Sequence, residues 1–446
     1  MSIISFLIKK FRLHGYKEKV AKNIYWAVLG KSLNLISGLF VGILVARFLG
    51  PEQYGLMNYV ITYVSLFAIL SNFGLDNIEI RELAKDKDKK NVIIGSSLAV
   101  RLILSLLTIG TIFVTLVIFE SDKQTTLLIL IYSCTLIFNS FNVVRNYFTS
   151  IVMNEYVVKT EIARTLFSAL LKLSLLFLKA NLLYFILVLT FDFALLAFGY
   201  TYSHRKLVGG IKQWRFDIKV AKQLLKYSFP LLFSGSAIIL YQKVDQILIR
   251  NMMDNVSLGY FSVAVRLTEF TLFVPMIISQ TIGPVLVKLK QENPQKYLKR
   301  RQSFVTLLFW ISLFLTVGMI LFSKMLVLML YGQEYEPAIN VLRVLAIKIT
   351  FLGLFNCGTQ LIIIENLQKY AVLRNLFGLV VSLGLNFLLI PYFGIMGAAV
   401  STVIAIVFSS YIAHGLIKPY RFIFLLQNKA FLQINRLPNI ISNFKE

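Results

Sequence analysis

Charged side chains recur where the surrounding sequence is apolar enough to sit in lipid. In "SAIILYQKVDQILIRNMM" (236–253), Lys243, Asp245 and Arg250 interrupt such a run, with Gln242 and Gln246 alongside. Lys31, Arg101, Lys172, Arg266 and Lys348 sit at comparably deep positions elsewhere, and so do the acids Asp192 and Glu269. A charge at the centre of a membrane span costs about 2.5–3.5 kcal/mol on insertion scales, so it must face a partner or a water-filled cavity. Six deep cations against three deep anions leave a positive surplus that internal pairing cannot absorb. The expectation is a hydrated cationic cavity with an anionic cargo. Asp245, Asp192 and Glu269 are the candidates for coupling to Na⁺ or a proton. Arg47, Arg164, Arg250 and Arg374, nearer the ends of apolar runs, can snorkel to the interface.

Uncharged polar residues fall on regular faces. Lys31, Asn34 and Gly38 follow i, i+3, i+7 spacing, and so do Asn139, Asn142 and Asn146, with Arg145 beside them. Gln242, Asp245 and Gln246 share a face that is assigned to the cavity, whereas Lys243 points away from Asp245 and needs another neighbour. The asparagines and the two glutamines are candidates for sugar binding or cavity lining.

The elements carrying these residues are apolar runs of about 18–25 residues, the length that crosses a hydrocarbon core of about 30 Å. Of 446 residues, 57% are hydrophobic, and the mean hydropathy is +0.73. The spacing predicts an all-α membrane protein with twelve transmembrane helices, at roughly 24–49, 54–75, 93–119, 126–150, 160–179, 181–203, 228–252, 257–287, 302–323, 338–364, 370–390 and 395–416. Pro275 predicts a kink in the eighth. The formal charge of +25 has a topological origin, because Lys and Arg concentrate in alternate gaps: the N-terminal arm, 76–92, 204–226, 288–301 and the tail. The intervening gaps are short and poor in cations, so both termini are expected in the cytoplasm.

Aligned with itself at an offset of 210, the chain pairs 141–167 with 351–377. Asn146 meets Asn356, Glu155 meets Glu365, Lys159 meets Lys369 and Arg164 meets Arg374. Two parallel six-helix lobes around the central cavity follow, of the kind transporters use to build a midplane site. The expected organisation is an arm over 1–23 that lies at the membrane surface, an N-lobe over 24–203, a basic cytoplasmic linker over 204–227, a C-lobe over 228–416 and a cytoplasmic tail over 417–446.

Several chemistries are set aside. "LGKS" (29–32) lacks the first glycine of a phosphate-binding loop, since Tyr25 stands there. "DKD" (86–88) lies in a run of alternating charge, as solvated loops do. His14, His204 and His414 lie at or outside the span ends, and Cys134 and Cys357 lie within apolar runs, so no metal site and no disulfide framework is expected. No cofactor, no nucleic-acid partner, no catalytic residue and no cleavable signal peptide are expected.

At "ARFLGPEQYG" (46–55), "SNFGLDNIEIRELAK" (71–85) and "KVDQILI" (243–249) the chain resembles polysaccharide-repeat flippases of the Wzx type. That family belongs to the multidrug/oligosaccharidyl-lipid/polysaccharide exporter superfamily. The resemblance implies a non-enzymatic transporter in the cytoplasmic membrane of a bacterium. Its cargo would be an undecaprenyl-diphosphate-linked oligosaccharide, flipped by alternating access among membrane lipids. A polymerase and glycosyltransferases of the same pathway would be its neighbours. Lys31, Arg101 and Arg145 would then capture the diphosphate, and Lys243, Arg266 and Lys348 would hold it nearer the midplane. The alternatives are a multidrug or toxin exporter of the same superfamily, whose cationic drugs a cationic cavity repels, and a non-transporting membrane component of polysaccharide assembly.

Overall fold

A computed structural model describes residues 16–433, apart from the side chains of 16–25, 27–28 and 233–238. The predicted surface arm over 1–15 and the end of the tail lie outside the described residues. All regular structure among those residues is helical. In lipid an isolated strand would leave its backbone groups unpaired, whereas a helix pairs them within itself.

The first helix, α1 (Tyr16–Asn72), is one run of 57 residues with a break at Gly50, whose φ of 70° is left-handed. Only glycine takes that conformation cheaply, and Pro51 directly after it supplies the φ that starts a new helix. The predicted first and second spans therefore meet in a kink without a loop. The chain continues through α2 (Leu75–Lys85), α3 (Lys90–Phe119), α4 (Lys123–Ser133), α5 (Thr135–Asn139) and α6 (Asn142–Ser150). Next come α7 (Asn154–Phe177), α8 (Leu182–Leu207), α9 (Ile218–Met252) and α10 (Asn255–Thr271). After them run α11 (Phe273–Glu292), α12 (Pro294–Tyr331), α13 (Ala338–Ile364) and α14 (Ala371–Val407). The last two are α15 (Ala413–Leu416) and α16 (Arg421–Leu432). Gly394, at φ 56°, breaks α14 as Gly50 breaks α1. Pro275 acts as its chemistry requires: lacking an N–H, it cannot donate to the Thr271 carbonyl, and α10 ends at Thr271.

Among the described residues, eight helical stretches are long and apolar enough to cross a membrane. Two of them, Leu29–Lys85 and Gln368–Leu416, contain the glycine breaks. Their outward residues are large and apolar; Phe119, Phe177 and Phe314 are each more than three-quarters exposed. A soluble protein would bury these rings, while a bilayer solvates them.

The helices form two compact units. Unit 1 holds the described residues up to Leu49 together with Val60–Gly235, and unit 2 holds Gly50–Tyr59 together with the described residues from Ser236 onward. In unit 1 an apolar cluster forms around Ile94, Val143, Val144, Phe148 and Tyr200. In unit 2 the cluster gathers Leu286, Phe304, Leu308, Leu361, Tyr420 and Ile423. Serine bridges neighbouring helices in unit 1: Ser105 donates to the Leu136 carbonyl at 2.9 Å and meets Ser140 at 3.2 Å.

Candidate functional site: buried charge clusters in each unit

Arg101 is buried in unit 1, and its planar fork is fully engaged. Nε donates to Glu79 Oε1 at 2.6 Å, and Nη2 to Glu79 Oε2 at 3.0 Å and to Asp76 Oδ1 at 2.7 Å. Nη1 donates to Asn72 Oδ1 at 3.1 Å. Asn146 Nδ2 donates to Asp76 at 2.9 Å and to Glu79 at 2.6 Å, while Ser97 donates to Glu79. Glu79 is wholly inaccessible; Asp76 keeps a partly open edge. One guanidinium thus serves two carboxylates, the planar bidentate geometry that arginine provides and lysine does not. Neither Arg101 nor Asn146 is the free, cavity-facing group that the sequence suggests, because both are committed to these acids.

The other unit 1 candidates are also drawn into local contacts. Lys172 Nζ donates to Asp192 Oδ2 at 3.2 Å, and Ser168 joins the same oxygen at 2.7 Å, leaving Asp192 Oδ1 without a partner. Asn34 accepts from Arg164 Nη2 at 2.9 Å and from Thr165. Asn142 donates to Asn139 at 3.3 Å. Arg145 lies 3.6 Å from Glu161, which also accepts from Tyr200 at 3.2 Å. Lys31 is exposed on α1.

In unit 2 the opening stretch becomes α9. Asp245 and Gln246 are buried, which moves both off the cavity face assigned to them; Gln242 is exposed. Asp245 Oδ2 accepts from Thr402 Oγ1 at 3.0 Å, and Oδ1 accepts from the Gln246 amide at 2.8 Å. Lys348, expected in the cavity, is also buried, within electrostatic reach of both Asp245 and Glu269. Lys243 finds its neighbour in Glu269, at 3.8 Å. Arg250 rests on the Tyr59 ring at 4.8 Å, a cation–π contact. Arg266 is half-buried beside Tyr54 and Tyr331 and has no carboxylate partner among the described residues.

The expected surplus of deep positive charge is therefore smaller than the residue count implies. Asp76 and Glu79 neutralise Arg101, Asp192 takes Lys172, and Asp245 and Glu269 serve Lys243 and Lys348. Of the deep cations counted along the sequence, Arg266 is the one in unit 2 with no carboxylate partner among the described residues. Asp76 and Glu79 escaped sequence reasoning because they lie in a stretch dense with charge; their i, i+3 spacing on one helical face was the available signal.

At the junction of α13 and α14, Glu365 accepts from Lys290 at 2.7 Å and Tyr297 at 2.5 Å, with Arg301 at 3.8 Å. Burial works against its charge, but the bonds from Lys290 and Tyr297 and the charges of Lys290 and Arg301 outweigh it, holding the carboxyl below its ordinary range. A depressed carboxyl contributes stability above its unfolded value of about 4.3 and loses it as pH falls through the folded value. The melting temperature is expected to fall as pH drops below about 4.3, and Glu365→Gln to flatten that part of the profile. An unchanged profile in the variant would assign the acid transition elsewhere.

These features define the class: a multi-pass helical membrane protein whose units bury polar and ionic clusters away from lipid. The fold is shared with transporters. It aligns with the lipid II flippase MurJ in an inward closed conformation at a TM-score of 0.70, with 14% identity over 92% of each chain. A multidrug resistance MATE family transporter of the MOP superfamily, inward-facing, aligns at 0.67, with 17% identity over 89% of this chain and 96% of that one. In sequence, the capsular polysaccharide biosynthesis protein CapF of Staphylococcus aureus is 24% identical over 401 residues, covering 86% of this chain and 96% of CapF. The chain belongs to the polysaccharide biosynthesis protein family, whose model matches residues 20–290.

Proposed function

We propose that the protein flips an undecaprenyl-diphosphate-linked oligosaccharide repeat across the cytoplasmic membrane of a bacterium by alternating access, for surface polysaccharide synthesis. Family membership carries this reading, and the cation that pairing leaves over agrees with it. A diphosphate is a compact anion that needs donors within the membrane, and lysine and arginine supply them. Lys31 on α1 and Arg266 on α10 are the cargo cations; Arg145 and Lys243, partly exposed and weakly paired, assist them. The same reading has twelve crossings with both termini in the cytoplasm. The glycine breaks divide two of the eight apolar stretches, and α7 and α9 add two more helices of sufficient length.

The test is complementation of a strain lacking its repeat-unit flippase. One charge-assisted bond to phosphate is worth about 1.5–3 kcal/mol, so Arg266→Ala and Lys31→Ala should each lower transport by roughly 10- to 100-fold. Wild-type polysaccharide from both variants, at normal membrane levels, would remove this cargo site. The likeness to the MATE transporter favours a second reading, export of drugs, which a susceptibility test distinguishes.

Asp245 is the proposed coupling group, because it is buried and held by Thr402 across two helices. Uptake into vesicles should respond to an imposed Na⁺ or proton gradient, and Asp245→Asn should abolish that response. Indifference of the unaltered protein to both gradients would end the coupling proposal.

A further inference from the structure

Arg374, at the start of α14, is 2% exposed. A buried cation normally has a carboxylate, as Arg101 does. Arg374 has none among the described residues. Its Nη1 and Nη2 share one weak acceptor, Thr359 Oγ1, at 3.4 and 3.3 Å. That hydroxyl has already given its own proton to the Phe355 carbonyl at 2.8 Å. The guanidinium lies 4.0 Å from the Phe355 ring centroid, and Nε has no partner among the described residues. The titratable groups within its electrostatic reach are Tyr241, Tyr420 and His414, none of them a carboxylate. Glu365, at the preceding helix junction, is taken by Lys290, Tyr297 and Arg301.

The aligned residue of the internal repeat has the same signature. Arg164 donates to the Asn34 amide oxygen at 2.9 Å, meets no carboxylate among the described residues and leaves Nε unpartnered. An anion-seeking arginine stands at this place in both halves, and in unit 2 it is sealed from solvent.

We infer that Arg374 holds a halide-sized anion inside unit 2, apart from the cargo cations. The anion completes the hydrogen bonding of Nε and supplies the counter-charge that the protein withholds. The packing sets its size. A methyl group on Gly358, beside Thr359, would approach His414 to 2.7 Å, and one on Gly378, a turn beyond Arg374, would approach Ser409 to 3.1 Å, so the close packing around the guanidinium favours a small anion over a phosphate.

Chloride, titrated against gluconate at constant ionic strength, should raise the melting temperature of the purified full chain saturably, by about 3 °C or more. Arg374→Gln should abolish the rise, and Arg374→Lys should reduce it. Inorganic phosphate should give a smaller rise than chloride. If Arg374→Gln fails to fold, bromide-soaked crystals of the unaltered protein should show an anomalous peak within hydrogen-bond distance of Arg374. Equal melting in chloride and gluconate overturns the inference. So does a chloride rise that survives undiminished in both variants, a larger rise with phosphate, or the absence of the bromide peak.

Discussion

Arg101→Gln is expected to destabilise unit 1 by about 3–5 kcal/mol, the usual cost of removing one partner from a buried ion pair. The cost comes from what remains. Glu79 would stay wholly buried with its charge, and Asp76 would lose its shortest donor. Ser97 and Asn146 would still donate, but two neutral donors do not replace a bidentate cation. The expected observations are a large fall in membrane level and a melting temperature lowered by many degrees. Removing both charges should cost less than the two single losses added together. In Arg101→Met with Glu79→Met no isolated buried charge is left, and Asp76 can hydrate through its open edge. Should Arg101→Gln melt within about 0.5 kcal/mol of the unaltered protein, the cluster would not be holding α2 against α3 and α6.

That cluster marks the boundary of what the sequence discloses. Apolar run length located the helices, since a hydrocarbon core imposes one length on every crossing. Pro275 and "LGPEQYG" announced breaks through local backbone chemistry alone. Partners were less legible. Asn34, Asn142 and Asn146 do lie on regular faces, but periodicity says which residues share a face and not what that face meets. Asn34 meets Arg164, Asn142 meets Asn139, and Asn146 meets two acids from a segment some seventy residues away. Asp76 and Glu79 sit among other charges and read as loop. Only the packing of α2 beneath α3 and α6 brings them to Arg101. Counting deep charges along the chain therefore overstated the cations available to a cargo. Lys243 needed a neighbour by its angular separation from Asp245, and Glu269 could be named only from coordinates.

The second large effect is expected at a backbone crossing within unit 2. Gly55, after the break in α1, lies against the first turn of α10. A Cβ on Gly55 would come 1.8 Å from the Asn255 carbonyl oxygen, and one on Gly259 would come 2.0 Å from the Pro51 carbonyl oxygen. The arrangement is reciprocal: residues 51 and 55 face residues 255 and 259, with four-residue spacing on both sides. Small residues let helix backbones approach this closely, and dispersion between the backbones then contributes without any hydrophobic drive from water. The obstacle to a larger residue is backbone on both sides, so no rotamer change relieves it and the helices must separate. Gly259→Ala and Gly55→Ala should each cost about 3 kcal/mol, the upper end of overpacking losses. Their double variant should cost less than the sum, because one separation accommodates both methyl groups. Gly110 and Gly42 have nothing within 4 Å of an added Cβ, so alanine there should be neutral or stabilising by about 0.5–1 kcal/mol through helix propensity. Melting temperatures of the four single variants in one detergent would decide. Gly259→Ala that melts with Gly110→Ala would mean that the helices do not cross at these glycines.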